Sequence, residues 1–488
     1  MSNFILILNN QLFDYFYYTK IIEIIYEIKP SNCIYIIYEH PYFFKKYNKI
    51  HKLKIAYHRA AMKYYFDNLE TKHKIYVNFN DNLNTVLKDN KLKMSDGIMY
   101  NPIEKDLIKQ FDKLKMSDSP YFLNSHKNNN NIINQVNNIR HDTFYKIQRK
   151  SYNILLNKDN EPLFGKWSFD KENRMKFPKD IGSQLFNKGL FDISNDLDIS
   201  KSLDISYIND AILYVNKYFK NNYGELNISN FIYPINRVDS LKWLANFINN
   251  KLNNFGKYED AMHSEVIFGY HSVLTPMLNI GLIIPYDILN LFRKLQVSSS
   301  NIATLEGFIR QVIGWREYNY LIYDFYGDYL TKKFFYSQNK NNISNKIWNC
   351  KTNINYIDNI LNKVNKYGYC HHIERLMGIG NYLLLKQIKP KEIFKWFSTM
   401  YIDAYEVFMV PNVYGMLLYG YIDDKNHMMT RPYFCSSNYI IKMSNYKKLN
   451  TENESETIDD LYYDLLKTYK DEFSHIYSTA GAIKRLLK

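Results

Sequence analysis

Short apolar runs alternate with a helical pattern in the first 80 residues, and this alternation restricts the fold more than any other feature. The runs span residues 4–8, 33–38 and 74–79. Between the last two, apolar residues recur at helical spacing at Leu53, Tyr57, Ala60, Ala61 and Tyr64. Strands that are apolar on both faces and separated by helices are typical of a parallel sheet covered on both sides. The sequence therefore predicts a Rossmann-like α/β domain over residues 1–125.

Polar residues follow the first two predicted strands. Asn9, Asn10 and Gln11 come directly after the first, and Glu39 follows the second. Ligands of parallel α/β sheets bind beyond the carboxyl ends of the strands, so these side chains are candidate ligand contacts. Ordinary polar loop residues without a ligand are an equally good interpretation of each one.

The remainder of the chain has a different pattern. The Asn-rich stretch at 127–131 lacks periodicity and predicts a surface linker over residues 126–145. Helical spacing then dominates residues 146–450, including a predicted helix at 239–248 with Asp239 as its cap. The segment 451–488 is predicted to be a solvated acidic helical tail because of Glu452, Glu454, Glu456, Asp459 and Asp460.

Charge and cysteine content exclude several classes of protein. The net charge of +14 is compatible with a polyanionic partner, although the 46 tyrosines are better explained by drift in an AT-rich genome than by base stacking. Four scattered cysteines argue against a disulfide framework or a four-thiolate metal site. No apolar run approaches the roughly 18 residues that a membrane span needs, and the first residues lack a secretory signal. We therefore expect an intracellular protein without a membrane anchor.

The familiar phosphate and zinc-protease motifs are absent, but five dense segments of polar and aromatic residues stand out. They lie at 144–150 with 165–174, 255–262 with 270–282, 306–318, 371–377 with 396–405, and 411–416 with 431–444. In this order and spacing they resemble the deoxyribodipyrimidine photolyase-related family over nearly the whole chain. That family is the bacterial (6-4) branch of the photolyase/cryptochrome superfamily.

The resemblance implies an α/β domain with a lumazine antenna and a large all-α domain that binds FAD. It implies that reduced FAD absorbs blue light and passes an electron to a flipped-out pyrimidine photoproduct of UV-damaged DNA, with (6-4) lesions as the expected substrate. A cryptochrome-like photoreceptor without repair activity is the first alternative, and a basic nucleic-acid-binding protein without a cofactor is the second. We expect a monomer.

The resemblance also implies site residues. The FAD contacts would be Tyr258, Ser272, Leu274, Thr275, Asn279, Gln311, Trp315, Arg316, Arg375, Asp403 and Asn412. Ser272 and Thr275 precede a predicted helix, where their hydroxyls suit either a pyrophosphate or a simple cap. Arg375 and Asp403 suit either a flavin-stabilising pair or a plain salt bridge between helices.

Four residues of the family's lesion site have counterparts here. His372 would donate a proton to the lesion with His371 beside it, because an imidazole exchanges protons near neutral pH. Tyr433 and Tyr439 would contact the flipped base. Trp396 and Trp348 match the aromatic residues that carry electrons to the flavin.

The chain departs from the family at three places. Tyr356 stands where the first cysteine of an iron–sulfur cluster belongs, and residues 445–452 contain no cysteine, so we predict that the cluster is lost. Cys370 and Cys435 are predicted to be small buried residues, and no metal is expected. Phe397 replaces an oxidisable tyrosine. Asn9-Asn10 replaces Gly-Asp, which leaves antenna binding by Asn10 and Glu39 open.

Overall fold

The structure is a computed structural model that describes residues 3–136, 139–181, 205–447 and 457–486. The N-terminal region contains a five-stranded sheet in the order β3-β2-β1-β4-β5, and all of its pairings are parallel. Its strands are Asn3–Leu8 (β1), Cys33–Tyr38 (β2), Lys74–Val77 (β3), Gly97–Tyr100 (β4) and Lys115–Ser117 (β5). The three strands predicted from the apolar runs and their parallel arrangement are confirmed.

Helices cover the sheet as the alternating pattern predicts. They are Tyr15–Lys20 (α1), Pro41–Lys45 (α2), Lys52–Asn68 (α3), Leu83–Asp89 (α4) and Lys105–Gln110 (α5). Helix α3 is buried on all sides from Leu53 to Met62, although its spacing predicts one solvent-exposed face. The second face is covered because α3 also contacts the helical region, where Lys54 Nζ donates to the Ala404 carbonyl. Helix α3 therefore connects the sheet to the rest of the molecule.

Strands β4 and β5 were not predicted, and both lie at a repeated hexapeptide. The sequence Lys-Leu-Lys-Met-Ser-Asp begins at Lys91 and again at Lys113. The first copy ends in the 3₁₀ turn Met94–Asp96 before β4, whereas the second copy contains β5. Strand β5 pairs along its length with β4, so a tertiary contact and not local propensity decides the conformation.

The Asn-rich stretch predicted as an irregular linker is helical, from His126 to Gln135 (α6). The Ser125 hydroxyl caps this helix by accepting from the Asn128 amide at 3.2 Å. Asn129 is fully buried, and its side-chain oxygen accepts from Asn124 Nδ2 at 3.1 Å. Polar composition hid the helix because the buried contacts of this segment are made by amides.

The helical region begins with α7. Its α-helices are His141–Ser151 (α7), Ile205–Tyr218 (α8), Arg237–Asn246 (α9), Leu252–Tyr258 (α10), Thr275–Ile280 (α11), Pro285–Phe292 (α12), Ile302–Ile309 (α13), Glu317–Leu330 (α14), Asn345–Trp348 (α15), Asn355–Tyr367 (α16), Asn381–Leu385 (α17), Pro390–Met400 (α18), Glu406–Met409 (α19), Ser437–Met443 (α20), Ile458–Thr468 (α21), Lys470–Ser474 (α22) and Tyr477–Leu486 (α23). The cap of α9 is Asn236 and not Asp239, because the Asn236 side chain accepts from the Asp239 amide at 2.8 Å. None of the helices within the described ranges is both long and apolar enough to cross a membrane.

Several helices are joined through wider π-helical turns. These are Ile21–Ile25, Phe247–Lys251, Arg310–Arg316, Glu374–Gly380 and Val410–Leu417. Such turns are rare in proteins overall, and those that occur often lie at functional sites. Three of them carry predicted cofactor contacts, since Gln311, Trp315 and Arg316 lie in one, Arg375 in another and Asn412 in a third.

The acidic C-terminal segment packs against the core instead of forming a solvated tail. Leu465, Leu466, Tyr469 and Phe473 are fully buried. The Asp459 carboxylate accepts from the Ser437 amide at 2.9 Å and from the Ser437 hydroxyl at 2.7 Å. The charge count misses this packing because the apolar residues lie on the opposite helix face. The predicted residues Glu452, Glu454 and Glu456 lie outside the described residues.

Candidate functional site

A buried ion pair lies at the centre of the helical region. Arg375 Nη1 and Nη2 donate to Asp403 Oδ1 and Oδ2 at 2.9 and 3.1 Å. The Asp403 side chain is 4% exposed and that of Arg375 is 17% exposed. Burial alone would lower the pKa of Arg375, but the Asp403 carboxylate raises it above its ordinary value, so the guanidinium stays charged. The sequence prediction that these two residues form a pair is confirmed, and their role remains a prediction.

Helix α11 holds the acid of this pair. The Thr275 hydroxyl donates to Asp403 Oδ2 at 2.5 Å, and Asn279 Nδ2 donates to the Asp403 carbonyl at 2.8 Å. Arg316 Nη1 in turn donates to Asn279 Oδ1 at 2.7 Å. Four predicted site residues and Arg375 are thus brought into one hydrogen-bonded network.

Aromatic rings surround the cation of the pair. The Arg375 guanidinium lies 4.5 Å from the ring centre of Tyr369 and 4.2 Å from that of Tyr401. Its Nε donates to the Cys370 carbonyl at 2.7 Å. Cation–π contacts and this hydrogen bond fix the guanidinium in one orientation, so the site presents a positive charge of fixed position.

Three imidazoles, of His271, His371 and His372, form a histidine cluster beside Arg375. The rings of His271 and His371 are stacked, with centres 4.7 Å apart and an angle of 9°. His372 is half exposed, and its Nε2 lies 3.6 Å from Asp260 Oδ1. Burial lowers the pKa of both His271 and His371 well below the ordinary value, so these two rings are neutral near pH 7. A neutral buried pair therefore lies beneath one exposed imidazole.

Charged and aromatic side chains lie near His372 and its ion-pair partner Asp260. Tyr433 and Tyr439 are partly buried, and the Arg431 guanidinium lies 5.4 Å from the Tyr433 ring centre. Burial raises the pKa of Tyr439, and the nearby Asp260 carboxylate raises it further. The Asp260 carboxylate acts on the pKa of both Tyr439 and Arg174, and Tyr433 acts on that of Arg174, so the two predicted lesion tyrosines lie in the neighbourhood of Asp260 and His372.

An acid–base cluster of Arg310, Glu259, Glu306 and Asp170 lies beside these residues. Arg310 Nε donates to Glu306 Oε1 at 3.1 Å, and its Nη1 donates to Asp170 Oδ1 at 3.1 Å. Glu259 lies 3.6 Å from Arg310, and burial raises the pKa of Glu259 to about 7. Arg174 also pairs with Asp170, which places a second guanidinium beside that of Arg310.

Gln311 and Trp315 lie in a π-helical turn next to this cluster. Both side chains are partly exposed, whereas Phe308 is buried. The His141 ring stacks on Trp315, with centres 3.7 Å apart and an angle of 13°. His141 was not predicted from the sequence, because a single histidine at a helix start carries no pattern that points to a stacking partner.

The other predicted cofactor residues make contacts inside the protein. Tyr258 stacks on Tyr270 at 5.6 Å, and the Ser272 carbonyl accepts from the Trp243 indole at 2.8 Å. Leu274 directly precedes helix α11, and Asn412 Nδ2 donates to the Phe408 carbonyl at 2.8 Å. Among the described residues, none of these four side chains makes a hydrogen bond with Arg375 or Asp403.

Unpaired polar atoms test whether the site fits an oxygen-rich anionic cofactor. His371 Nδ1 and Arg316 Nε are buried and have no hydrogen-bond partner among the described residues. Buried polar groups without a partner are costly, by about 1–3 kcal/mol each, unless a ligand or water pairs with them. Together with the fixed charge of Arg375, these atoms fit a flavin, which offers carbonyl, hydroxyl and phosphate oxygens.

The predicted electron-transfer residues belong to two separate ring contacts. Trp396 is buried, with Phe397 at 5.3 Å and Tyr401 at 5.7 Å between ring centres. Trp348 stacks on Tyr223 at 4.3 Å. Tyr401 thus offers an oxidisable ring beside both Trp396 and Arg375. Phe397 also lies beside Trp396, but a phenyl ring is too hard to oxidise to carry an electron.

The predicted antenna residues lie at the carboxyl edge of the sheet. Asn10 Nδ2 donates to the Pro102 carbonyl at 3.2 Å, and its Oδ1 has no partner among the described residues. Glu39 is fully buried and accepts from Arg59 at 2.8 Å, from the Tyr76 hydroxyl at 2.6 Å and from the Phe79 amide at 3.0 Å. The Glu39 carboxylate is therefore occupied by the protein itself.

A tyrosine pair occupies the place where the family's iron–sulfur ligands are expected. Tyr356 is buried, and its ring lies 6.0 Å from that of Tyr446. Cys370 and Cys435 are buried, as predicted. In the part of the chain that the structure describes, no group of three or more His, Cys, Asp or Glu side chains could hold a metal ion.

A sequence profile named "Deoxyribodipyrimidine photo-lyase-related protein" matches residues 5–231. A protein of Agrobacterium fabrum named "(6-4) photolyase" is 32% identical over 360 residues, covering 72% of this chain and 67% of its own length.

Two solved structures share the fold. A bacterial class III photolyase from Agrobacterium tumefaciens superposes with a TM-score of 0.55 at 13% identity, covering 99% of this chain and 92% of that one. A cryptochrome from Synechocystis sp. PCC6803 superposes with a TM-score of 0.53 at 9% identity, covering 99% and 89%. At these identities the likeness shows the fold alone, which is the predicted α/β domain joined to a mostly helical region.

Proposed function

Because the chain belongs to the deoxyribodipyrimidine photolyase-related family, we propose that it is a light-driven DNA repair enzyme that acts on (6-4) photoproducts with FAD as its cofactor. The relative from Agrobacterium fabrum is named for that lesion. The net charge of +14 suits a polyanionic substrate.

The network of Arg375 and Asp403 is the proposed cofactor site. FAD, when bound and reduced, supplies an electron on absorption of blue light. Arg375 provides a fixed positive charge that stabilises a negatively charged ring. Thr275 and Asn279 hold Asp403, so the charge of Arg375 cannot swing away from the site.

His372 is the proposed proton donor. Its side chain is 49% exposed, and Asp260 lies 3.6 Å from its Nε2. An imidazole can give a proton to a substrate atom and take it back within one turnover.

Tyr433, Tyr439, Arg431 and Arg174 form the proposed DNA-binding surface around His372. Tyrosine rings stack on an unpaired base, and guanidinium groups bind phosphates. The Arg431 side chain is exposed and lies against Tyr433. This surface therefore offers a base contact and a phosphate contact side by side.

One observation carries the proposal: a half-exposed histidine lies three residues from a buried, charged Arg375–Asp403 pair. The backbone amide of Arg375 donates to the His371 carbonyl at 3.0 Å, so the cluster and the pair share one helical turn. A salt bridge that served only packing would not require two adjacent histidines at the same turn, with the ring of a third, His271, packed against both.

The test is repair by the purified, FAD-loaded protein. An oligonucleotide with a single (6-4) photoproduct is illuminated with blue light in the presence of the reduced protein, and the restored strand is measured by chromatography. We expect restoration in light, none in the dark, and a loss of at least about 100-fold in His372→Ala. A protein that binds FAD but restores neither (6-4) nor cyclobutane lesions would contradict the proposal.

A cryptochrome-like photoreceptor is the second candidate, since the fold is shared with the Synechocystis protein. The two candidates bind the same cofactor and differ in their dependence on His372. Binding of FAD with a light-dependent spectral change but no repair would favour the photoreceptor. A sample that takes up no FAD would contradict both.

A further inference from the structure

The ring that lies closest to His372 within the histidine cluster is not its neighbour in the chain. The ring centres of His372 and His271 are 5.5 Å apart at 73°, whereas those of His372 and His371 are 6.4 Å apart at 71°. His271 precedes helix α11 by four residues, and it was not among the predicted site residues. A second segment of chain therefore provides the nearest ring contact of His372.

His271 is itself held from two sides. The Phe255 ring meets it edge to face at 5.8 Å, and the His371 ring stacks on it at 4.7 Å. Its backbone amide donates to the Phe268 carbonyl at 3.1 Å. Only 8% of the residue is exposed, so the ring cannot turn away from His372 without repacking the core.

The lower ring of the cluster is anchored in turn. His371 Nε2 lies 3.6 Å from Glu374 Oε2, and Lys363 Nζ donates to Glu374 Oε1 at 2.5 Å. All three residues are buried. These contacts thus hold in place the side chains that lie beneath His372, from Lys363 on α16 to His271.

The upper ring is free on its other side. His372 is 49% exposed, and Asp260 at 3.6 Å is its only ion-pair partner among the described residues. An exposed side chain samples several rotamers and loses catalytic geometry unless something restricts it. Contact with a fixed neighbouring ring restricts it at little cost.

We propose that His271 is a positioning residue whose ring forms the wall that orients the His372 imidazole toward the bound DNA. The inference rests on the proposed repair function, because His372 needs a defined orientation only if it exchanges a proton with a substrate. The contact is made by the ring and not by Nε2. A phenyl ring at position 271 should therefore serve equally well.

The experiment compares wild type, His271→Ala and His271→Phe as FAD-loaded proteins. We expect kcat for repair to fall at least about 10-fold in His271→Ala while KM for DNA changes less than about 2-fold, because orientation and not binding is lost. His271→Phe restores kcat to within about 3-fold of wild type. His126→Ala is the matched control, since His126 is an exposed histidine stacked on Phe325 at 4.9 Å.

A second readout does not depend on repair. The ring resonances of His372 are followed by NMR in protein with ¹³C-labelled histidine and are assigned by their loss in His372→Gln. Neighbouring rings should keep them shifted in wild type and His271→Phe, and they should move toward the value of an exposed histidine in His271→Ala.

The outcomes separate the two proposals. If His271→Ala keeps the wild-type kcat and His372 resonances, or if His271→Phe is as impaired as His271→Ala, the wall role is overturned. The second result would mean that a ring nitrogen is required. If the wild type repairs neither lesion, the repair function fails, and the resonances alone decide whether His271 orients His372.

Discussion

Two buried arginine–carboxylate pairs, one in each region, show how similar chemistry can serve different ends. In the α/β region Glu39 pairs with Arg59 at 2.8 Å, and in the helical region Asp403 pairs with Arg375 at 2.9 Å. We call them the sheet pair and the helical pair. In the sequence, each carboxylate is a predicted ligand contact, Glu39 for an antenna and Asp403 for FAD.

The surroundings of the two pairs differ. The Glu39 carboxylate is fully buried and takes its further hydrogen bonds from Tyr76 and Phe79, at and just beyond the end of β3. The helical pair instead has a partly exposed guanidinium and lies beside the histidine cluster. The Glu39 carboxylate is therefore occupied by the protein, and Arg59 Nε has Asp210 at 3.6 Å, so the sheet pair holds strands and helix together. Beside the helical pair, the buried His371 Nδ1 has no partner among the described residues and could accept a ligand.

The largest effect is expected from Glu39→Ala, which tests whether the sheet pair is structural. Removing one partner leaves Arg59 buried without its carboxylate, so the free energy of unfolding should fall by about 3–5 kcal/mol. Urea denaturation followed by circular dichroism measures the loss. FAD affinity of the folded fraction should not change, and a loss of affinity at unchanged stability would make the sheet pair a ligand site.

The control for this prediction is Glu172→Ala. Glu172 pairs with Lys166 at 2.7 Å, but both side chains are about half exposed. Solvent screens such a pair, so its removal should cost no more than about 1 kcal/mol.

The helical pair is tested by Arg375→Lys. Lysine keeps the charge but cannot make the two parallel hydrogen bonds to Asp403, so the position of the charge is no longer fixed. We expect FAD affinity to fall by about 30-fold, or about 2 kcal/mol, as measured by fluorescence titration. Arg59→Lys at the sheet pair is the control, and equal losses of FAD affinity in both variants would erase the distinction.

Sequence reasoning indicated both carboxylates, Glu39 and Asp403, but predicted an arginine partner only for Asp403. The apolar runs predict β1, β2 and β3 because strands buried on both faces leave a direct mark in the sequence. Residues at the carboxyl edge follow from that placement alone. Whether Glu39 is free depends on Arg59, Tyr76 and Phe79, which come from a helix, a strand and a loop that only the tertiary fold brings together.

The helical site was predicted through resemblance, and its missing parts have physical causes. His271 and His141 were not predicted, because a ring contact between distant segments has no sequence period. The π-helical turns that carry Arg316, Arg375 and Asn412 were also missed, since they differ from α-helix in hydrogen bonding and not in composition. The order of the five segments was informative because family members share it as a whole.

A smaller effect is expected from Thr275→Val, which removes one hydrogen bond from the helical pair. The Thr275 hydroxyl donates to the charged Asp403 carboxylate at 2.5 Å, and valine has nearly the same shape. Loss of a hydrogen bond to a charged group should lower the free energy of unfolding by about 1.5 kcal/mol. Thr275→Ser keeps the donor, and denaturation of both variants shows whether the hydroxyl or the methyl group matters; serine as unstable as valine would exclude the hydrogen bond.

A third buried carboxylate, which has no guanidinium partner among the described residues, sharpens the contrast between the two pairs. Glu104 accepts from the Tyr42 hydroxyl at 2.8 Å, and its other oxygen has no partner among the described residues. Burial, together with the nearby Glu406 carboxylate, raises the pKa of Glu104 to about 8. Without a guanidinium partner this side chain is thus protonated near pH 7, whereas the carboxylates of the two pairs each lie against a guanidinium.

The sign of the resulting pH dependence follows from linkage. The pKa of Glu104 is higher in the folded than in the unfolded chain, so the folded protein binds the extra proton between the two pKa values. The contribution of Glu104 to stability is full below its unfolded pKa, near 4.5, and is lost as the pH rises through about 8. Between pH 6 and 7 the loss should be about 1 kcal/mol. Glu104→Gln, which cannot ionise, should remove this slope when unfolding is measured at both pH values. An unchanged slope in the variant would show that Glu104 does not hold the extra proton in the folded chain.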